Sequence, residues 1–321
     1  MDRVIRRLPV AAFFVAALCA FGASAAAFPV SARPVPTATN TIEPIVARTL
    51  WSLPDSGVDA LTPMDASLAP VPTAEPPAAT ATPQPPSATP LVAPLVLRVP
   101  VLMYHYISLV PPQQSTDRFA VDLRVPPDLF EKHLAYLRDE GYSTIGMPTL
   151  WEALNGRATL PKKPVILTFD DGYADAYTNA FPLLKKYGFI GTFFITCNLI
   201  GRPGYMTWDQ VKELDHLGMD IESHAMDHKA MSGFSLAGLA YEMGQARATL
   251  AQQLGHEVRF FAYPSGDYNA TALQGAAANG YFAAFLKGGG SSQSLDWRYT
   301  LRRTRVTGYA SVDTFKAALR Y

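Results

Sequence analysis

The chain has 321 residues, of which 49% are hydrophobic, so it is long enough to bury a full-sized core. Its 27 lysines and arginines balance 27 aspartates and glutamates, which excludes the strong positive charge expected of a protein that binds nucleic acid. The chain has two cysteines, Cys19 and Cys197. If an N-terminal segment containing Cys19 is removed, Cys197 is left alone, so we expect a fold without disulfides in which Cys197 is a small buried hydrophobic residue.

Residues 1–27 have the layout of a secretory signal peptide, with arginines at the front, an apolar stretch and then small residues. This layout predicts export, with cleavage after Ala25 or Ala27. The apolar stretch is nearly long enough to span a bilayer, so an uncleaved membrane anchor is the alternative.

Residues 28–97 are dominated by proline, alanine, threonine and serine, as in "VPTAEPPAATATPQPPSATP". They contain few of the large apolar residues that a core requires, so we expect a disordered linker. Such a linker would keep a domain at residues 98–321 away from the membrane or within reach of a cell wall. The alternative is that the linker is a spacer without a positioning role.

Residues 98–321 alternate apolar, β-rich runs with helical patterns. The predicted strands are VPVLMYHYI (99–107), VILTF (165–169), GTFFIT (191–196), MDIESHA (219–225), RFFAYPSG (259–266), YFAAFLK (281–287) and LRRTRV (301–306). The predicted helices cover residues 127–139, 174–187, 207–218, 235–254, 270–278 and 311–319. This alternation predicts an α/β fold, either an open doubly wound sheet or a closed barrel, and both place ligands at the carboxyl ends of the strands. No glycine-rich phosphate loop follows the first strand, which disfavours a dinucleotide-binding fold.

Two adjacent carboxylates, Asp170 and Asp171, follow the apolar strand in "VILTFDDG". Neighbouring carboxylates repel each other, and their burial at the rim of a core is costly unless a cation or hydrogen bonds compensate. The pair therefore points to a cation site. The alternative is an Asp-Gly turn in which one carboxylate caps the helix that follows.

A second polar segment, "SHAMDH", follows the strand at 219–225 and contains His224 and His228. In a helical turn a spacing of four residues would place both imidazoles on one face, where they could bind one metal ion. Two histidines and one aspartate form a catalytic type of metal site, and the second aspartate is then free to accept a proton from water. Alone, the pair would more simply be two surface histidines.

"TFDDG" and "SHAMDH" resemble two motifs of the polysaccharide deacetylases of the carbohydrate esterase 4 group, which carry a NodB homology domain. The resemblance covers about residues 98–321 and implies an irregular (β/α) barrel that removes acetyl groups from N-acetylglucosamine units of a polysaccharide. It implies that Asp170 is the general base and that Asp171, His224 and His228 bind a divalent metal. Zn²⁺ suits this ligand set, with Co²⁺, Ni²⁺ and Fe²⁺ as alternatives. Ala225 replaces the hydroxy residue of the family, which removes a hydrogen bond that supports the loop.

"FFAYPSG" resembles the third motif of the family. The resemblance implies that the backbone N–H of Ser265 binds the oxyanion and that Tyr263 and Pro264 wall the substrate groove. Many members have an arginine at the position of Ala262, and that arginine holds the catalytic aspartate.

"LRRTRV" is similar to a later segment that supplies this arginine in a subgroup. Arg303 matches best, with Arg302 and Arg305 as alternatives. The late "LxH" motif of the family is missing, whereas "VLMYHYIS" begins the domain. This order resembles the permuted subgroup of exported poly-N-acetylglucosamine deacetylases and implies that His105 is the general acid. A packed core histidine is the alternative interpretation of His105.

Two other functions are compatible with this set of residues. A non-haem iron oxygenase also uses two histidines and one carboxylate, although the spare Asp170 and the βα order argue against it. A carbohydrate-binding pseudoenzyme would retain the groove without turnover, and Ala225 and Ala262 are the features that favour it.

Overall fold

The computed structural model describes residues 95–319, so the predicted signal peptide and most of the predicted linker lie outside the described residues. The strands are β1 Leu97–Arg98, β2 Val101–Tyr104, β3 Ser143–Thr144, β4 Pro164–Phe169, β5 Thr192–Ile195, β6 Asp220–Ser223, β7 Phe260–Ala262, β8 Ala283–Phe285, β9 Ser292–Gln293 and β10 Thr304–Arg305. The helices are α1 Arg118–Leu123, α2 Pro127–Asp139, α3 Met147–Leu154, α4 Phe181–Tyr187, α5 Trp208–His216, α6 Leu236–Leu239, α7 Ala246–Leu254, α8 Ala270–Ala278 and α9 Val312–Ala318. Within residues 95–319, no helix has the length and apolar character needed to cross a membrane.

The main sheet contains all of the strands that the sequence predicts, in the order β10-β2-β4-β5-β6-β7-β8, and every neighbouring pair is parallel. Strand β3 adds to the start of β4, and β1 pairs with β9 in a separate antiparallel ribbon. Single bridges join Phe285 to Leu301 and Gly288 to Arg303, so residues 301–305 pair with both edges of the curled sheet. The predicted α/β architecture and irregular barrel are confirmed, in the form of a parallel half-barrel that this segment bridges.

Strand residues alternate between two apolar layers, one on each face of the sheet. Val165, Leu167 and Phe169 of β4 pack in the layer beneath the helices, whereas Ile166 packs in the layer inside the curled sheet. The inner layer also contains Val101, Phe194, Phe260, Phe285 and Leu301. All six residues of β4 are buried, as expected for a parallel strand covered on both faces. Because the interior is filled, polar sites are expected at the strand ends.

Several of the predicted helices form at the predicted positions. Helices α2 and α8 have the predicted bounds, and α5 begins directly after Thr207, which caps it. The Thr207 side chain accepts a hydrogen bond from the Gln210 N–H, and the Gln210 side chain accepts one from the Thr207 N–H.

Two predicted helices contain a turn that the sequence pattern did not indicate. The segment 235–254 consists of α6, a π-helical turn at Ala240–Gln245 and α7. The segment 174–187 likewise begins with a π-helical turn at Ala176–Ala180 before α4. Helices α1 and α3 and strand β3 were not predicted.

Cys197 lies just after β5 and is 4% exposed, so the prediction of a buried thiol is confirmed. Burial raises the pKa of the Cys197 thiol to about 12. A thiol with this pKa is protonated at neutral pH and is not a nucleophile.

Candidate metal centre and catalytic site

The two aspartates stand at the carboxyl end of β4, where the chain turns sharply. Asp170 and Asp171 are 2% and 4% exposed. The Asp170 N–H still donates to the Tyr104 carbonyl of the neighbouring strand at 3.0 Å. Asp171 then adopts a left-handed conformation, with φ of 76°, which is rare for a residue with a Cβ atom. The turn lets the two carboxylates take different partners.

Asp170 is held by Arg303 in a buried, bidentate ion pair. Nη1 and Nη2 of Arg303 donate to Oδ1 and Oδ2 of Asp170 at 2.7 and 2.8 Å. Arg303 is 1% exposed and also donates to Thr168 Oγ1 and to the Leu286 carbonyl. Burial by itself raises the pKa of Asp170, but the charge of Arg303 and the smaller effects of His224 and His105 together outweigh burial. The net pKa lies below the usual range, so Asp170 is ionised at neutral pH.

The other two arginines of "LRRTRV" have different partners. Arg302 donates to the Gly289 carbonyl, and Arg305 pairs with Asp122 at 3.1 Å. Of the three arginines, Arg303 is the one that contacts the proposed base.

Asp171 faces the two histidines of "SHAMDH". Oδ1 of Asp171 lies 3.0 Å from Nε2 of His228 and 3.3 Å from Nε2 of His224. Each of the three residues offers one ligand atom, and these atoms lie within 4.8 Å of one another. Between positions 95 and 319, no other group of three His, Cys, Asp or Glu residues is arranged in this way.

A backbone carbonyl sets the orientation of His224. Nδ1 of His224 lies 2.7 Å from the Ala262 oxygen, and because a carbonyl can only accept, Nδ1 is the donor. In the neutral imidazole, Nε2 then presents a lone pair to the Asp171 carboxylate. Two acceptors at this distance repel each other unless a cation or proton lies between them. The arrangement therefore fits a divalent metal bound by two nitrogens and one oxygen.

The electrostatics of the three ligands agree with a site built for positive charge. Burial raises the pKa of Asp171, but the imidazoles of His224 and His228, together with the charge of His105, outweigh this effect and hold the pKa well below its usual range. Burial lowers the pKa of His228, but the contact with Asp171 and the charges of Asp171 and Asp170 together raise it above the ordinary value.

The loop that carries the histidines is not helical, so the helical-turn geometry predicted for it is wrong. Residues 224–230 form an irregular segment after β6. The backbone is left-handed at Ala225, with φ of 72°, and at His228, with φ of 55°. These two turns bring the imidazole rings to a centroid distance of 5.0 Å. The predicted convergence of the two histidines is correct, but strained backbone produces it.

A cavity of about 220 Å³ opens beside the metal ligands. Its wall contains His105, Phe119, Leu123, Asp171, Tyr173, His228, Ser265, Lys287 and Arg305. Nδ1 of His105 is buried and has no hydrogen-bond partner among residues 95–319. Burial lowers the pKa of His105 and outweighs the opposite effect of Asp171 and Asp170. His105 thus belongs to the same cavity as the metal ligands.

The third motif places one of its three predicted residues in this cavity. Ser265 is exposed and left-handed, with φ of 58° and ψ of 5°. Tyr263 and Pro264 are buried and do not line the cavity. The Tyr263 ring packs against Phe261 and Tyr268, so a groove-wall role for Tyr263 and Pro264 stays a prediction.

The sequence patterns missed the wall that α1 contributes. Phe119 and Leu123 belong to α1, and Tyr173 follows the aspartates directly. The one available signal for α1 was Asp117, whose side chain accepts from the N–H groups of Phe119 and Ala120.

Comparison with known proteins identifies relatives of this chain. The family model for polysaccharide deacetylase matches residues 157–284, a range that includes Asp170, Asp171, His224 and His228 but excludes His105 and Arg303. The polysaccharide deacetylase homologue YxkH of Bacillus subtilis is 33% identical over 220 residues, which are 68% of this chain and 75% of that protein.

An enzyme with a named substrate also matches over a shorter range. Poly-β-1,6-N-acetyl-D-glucosamine N-deacetylase of Escherichia coli is 27% identical over an alignment of 176 residues that covers 47% of this chain and 26% of that protein. Among solved structures, the Streptococcus pyogenes deacetylase PplD in complex with acetate is 31% identical with a TM-score of 0.66. That match covers 71% of this chain and 100% of the other.

Proposed function

The chain belongs to the polysaccharide deacetylase family, and from this we propose that it is an exported, metal-dependent N-deacetylase. Its proposed substrate is a cell-surface or wall polysaccharide that contains N-acetylglucosamine. The main observation in support of the proposal is the different environment of the two aspartates. Asp171 faces two histidines, whereas Arg303 keeps Asp170 ionised. The layout of residues 1–27 supports the export.

Asp171, His224 and His228 would hold the divalent metal, for which Zn²⁺ is the first candidate and Co²⁺, Ni²⁺ and Fe²⁺ are alternatives. When bound, such a metal supplies Lewis-acid polarisation of the acetyl carbonyl and acidifies water. The open side of the ligand set faces the cavity, where substrate would enter.

Asp170 is the proposed general base. Its carboxylate lies 4.0 Å from Nε2 of His224, so it is next to the metal ligands without being one of the proposed set. Because Arg303 bonds both carboxylate oxygens, it fixes the orientation of Asp170 and keeps it ionised. Asp170 would take a proton from the water that attacks the acetyl carbon.

His105 is the proposed general acid. Burial lowers its pKa, so its protonated form is a stronger acid than an ordinary histidine. Protonated His105 would give its proton readily to the departing amine as the carbon–nitrogen bond breaks. The products are acetate and a glucosamine unit.

The N–H of Ser265 is the proposed oxyanion donor. The left-handed conformation of Ser265 lies at the end of "FFAYPSG", on the same cavity wall as His105 and His228. A backbone N–H held in this way would stabilise the charge that develops on the carbonyl oxygen.

An apolar wall beside these polar groups supports a carbohydrate substrate. Phe119 lines the cavity and is 76% exposed, although α1 is fixed to the body of the domain. The Leu123 carbonyl accepts from the Tyr106 N–H at 3.1 Å, and the Asp122 carbonyl accepts from the Gly308 N–H at 3.1 Å. An aromatic ring presented in this way could stack on the carbon–hydrogen face of a sugar ring.

The polymer is to be identified by acetate release from poly-β-1,6-N-acetylglucosamine, chitin oligomers and peptidoglycan. The first of these is named for the Escherichia coli relative. Chelation should abolish release, and Zn²⁺ or Co²⁺ should restore it. Full turnover of the metal-free protein would contradict the proposal. Polymer binding without acetate release would select the pseudoenzyme, and iron-dependent oxygen consumption would select the oxygenase.

A further inference from the structure

The loop between the two histidine ligands needs support from outside itself. Ala225 and His228 both hold left-handed conformations that are unfavourable for residues with a Cβ atom. Ala225 is completely buried and contributes only a methyl group where the family resemblance implies a supporting hydroxyl. Some other residue must therefore keep the loop in the conformation that brings His224 and His228 together.

Glu242 contacts this loop through both its main chain and its side chain. The Met226 N–H donates to the Glu242 carbonyl at 3.0 Å. The Asp227 N–H, on the next residue, donates to Oε2 of Glu242 at 3.0 Å. Both donors lie between the two histidines in sequence, so a single residue satisfies two consecutive N–H groups of the loop.

Packing alone does not explain a glutamate at this position. Glu242 is 1% exposed, and its Oε1 has no hydrogen-bond partner within residues 95–319. The nearest cation, Nζ of Lys229, lies 3.7 Å from Oε1 and is largely exposed. An apolar side chain would avoid the desolvation cost of a buried carboxylate. The hydrogen bond that the carboxylate accepts from the Asp227 N–H therefore explains why a glutamate stands here.

The position of Glu242 in its helix is also unusual. It lies in the π-helical turn Ala240–Gln245 between α6 and α7. Such turns insert one extra residue into a helix and occur often at functional sites. Gly244, in the same turn, packs so closely on the Asn279 side chain that an added Cβ atom would clash with it. The turn is thus fixed against the end of α8.

We propose that Glu242 is a positioning residue for the metal centre, which holds the Met226–Asp227 backbone so that His224 and His228 keep their ligand geometry. This inference rests on the proposed metal-dependent function. It concerns metal affinity, which can be measured separately from turnover.

The test measures the Zn²⁺ dissociation constant of purified variants by competition with a chromophoric chelator at one pH. Glu242→Met keeps the volume of the side chain and removes the acceptor, and it should weaken Zn²⁺ binding by about 10- to 100-fold, as is typical when an outer hydrogen bond of a metal site is lost. Glu242→Gln retains an oxygen that can accept from Asp227 and should stay within a few fold of wild type. Gln245→Ala is the matched control, because Gln245 is in the same turn but is exposed and bonds Thr249.

Thermal unfolding of the metal-free variants separates positioning from general stability. A melting temperature that falls equally in Glu242→Met and Glu242→Gln, with unchanged Zn²⁺ affinity in both, would overturn the inference. If Glu242→Met does not fold, Glu242→Asp is used in its place, because the aspartate carboxylate is one methylene too short to reach the Asp227 N–H. Wild-type Zn²⁺ affinity in Glu242→Asp would equally overturn the inference. Wild-type protein that binds Zn²⁺ but releases no acetate would refute the proposed function and leave the role of Glu242 standing.

Discussion

Replacement of each neighbouring aspartate by asparagine should impair the proposed activity in a different way. Asp170→Asn leaves Asp171 and both histidines in place, so bound metal should stay near the wild-type level. Asp171→Asn removes the charged oxygen that lies 3.0 and 3.3 Å from the two imidazole nitrogens, so metal content should fall. Without Asp170 to accept a proton, turnover should fall by roughly a hundredfold to ten-thousandfold, the usual contribution of general-base catalysis.

The Asp170 variant should also lose stability, because it leaves Arg303 buried without a counter-charge. Removal of one partner from a buried ion pair costs about 3–5 kcal/mol of the free energy of unfolding. Arg303 keeps its hydrogen bonds to Thr168 and Leu286, and the asparagine oxygen can still accept one, so we expect about 3 kcal/mol, the lower end of that range. For a domain of this size, such a loss lowers the melting temperature by about 6–12 °C.

Three measurements on both variants decide the matter: zinc content after dialysis, acetate release from N-acetylglucosamine oligomers, and thermal unfolding in excess chelator. Arg303→Met provides the control for the ion pair. Because Asp170 and Arg303 contact each other directly, the double variant should lose less stability than the sum of the single variants. Equal metal loss in both aspartate variants, or an undiminished rate in Asp170→Asn, would refute the division of roles.

Three further variants test other parts of the site and fold. His105→Ala should retain metal and lose amide turnover, while activated acetate esters, which need little protonation of the leaving group, should still be hydrolysed; equal losses on both substrates would contradict the role of general acid. Phe119→Ala should raise KM for the polymer several-fold with little effect on a small activated ester, whereas Tyr309→Ala, an aromatic that is 61% exposed but does not line the cavity, should change neither. Burial raises the pKa of Asp220 to about 6 from an ordinary value of 3.8, so the stability that its neutral form contributes is complete below the ordinary value and is lost as pH rises through 6. Between pH 4 and pH 8, the free energy of unfolding of Asp220→Asn in urea should therefore rise by about 1–2 kcal/mol relative to that of wild type, a range reduced because Asp220 is partly exposed. A difference in stability that does not change with pH would contradict this assignment.

The sequence predicted the regular parts of the fold better than the irregular ones. Helix α2 could be located because its apolar pattern extends over 13 residues, and α8 because its alanine-rich segment ends just before Gly280. Helix α1 has six residues, too few for a period to be recognised. The π-helical turns were missed because each is a single short turn, shorter than the window over which a helical period can be recognised. The pairing of residues 301–305 with both edges of the sheet could not be predicted, because it depends on contacts with residues that are distant in the sequence.

The sequence predicted which residues form the candidate metal site, but it did not predict the backbone conformation that brings them together. Adjacent carboxylates and paired histidines at strand ends indicated a cation site, and the structure brings Asp171, His224 and His228 together. The conformation of the histidine loop could not be predicted, because a left-handed alanine such as Ala225 is disfavoured by its own Cβ atom. Phe119 was missed because a single exposed aromatic has no local pattern that marks it as part of a cavity.

The bridging segment 301–305 couples completion of the fold to completion of the catalytic machinery. The proposed metal ligands come from the ends of β4 and β6, but the contact between Arg303 and Asp170 joins residues that are 133 positions apart. Contacts of such separation tend to form late in folding, because the entropy of loop closure must be overcome before they stabilise the chain. A molecule in which this segment has not docked would have its metal-binding side chains and lack the cation that orients its base. On this reasoning the proposed base would be oriented only when segment 301–305 docks.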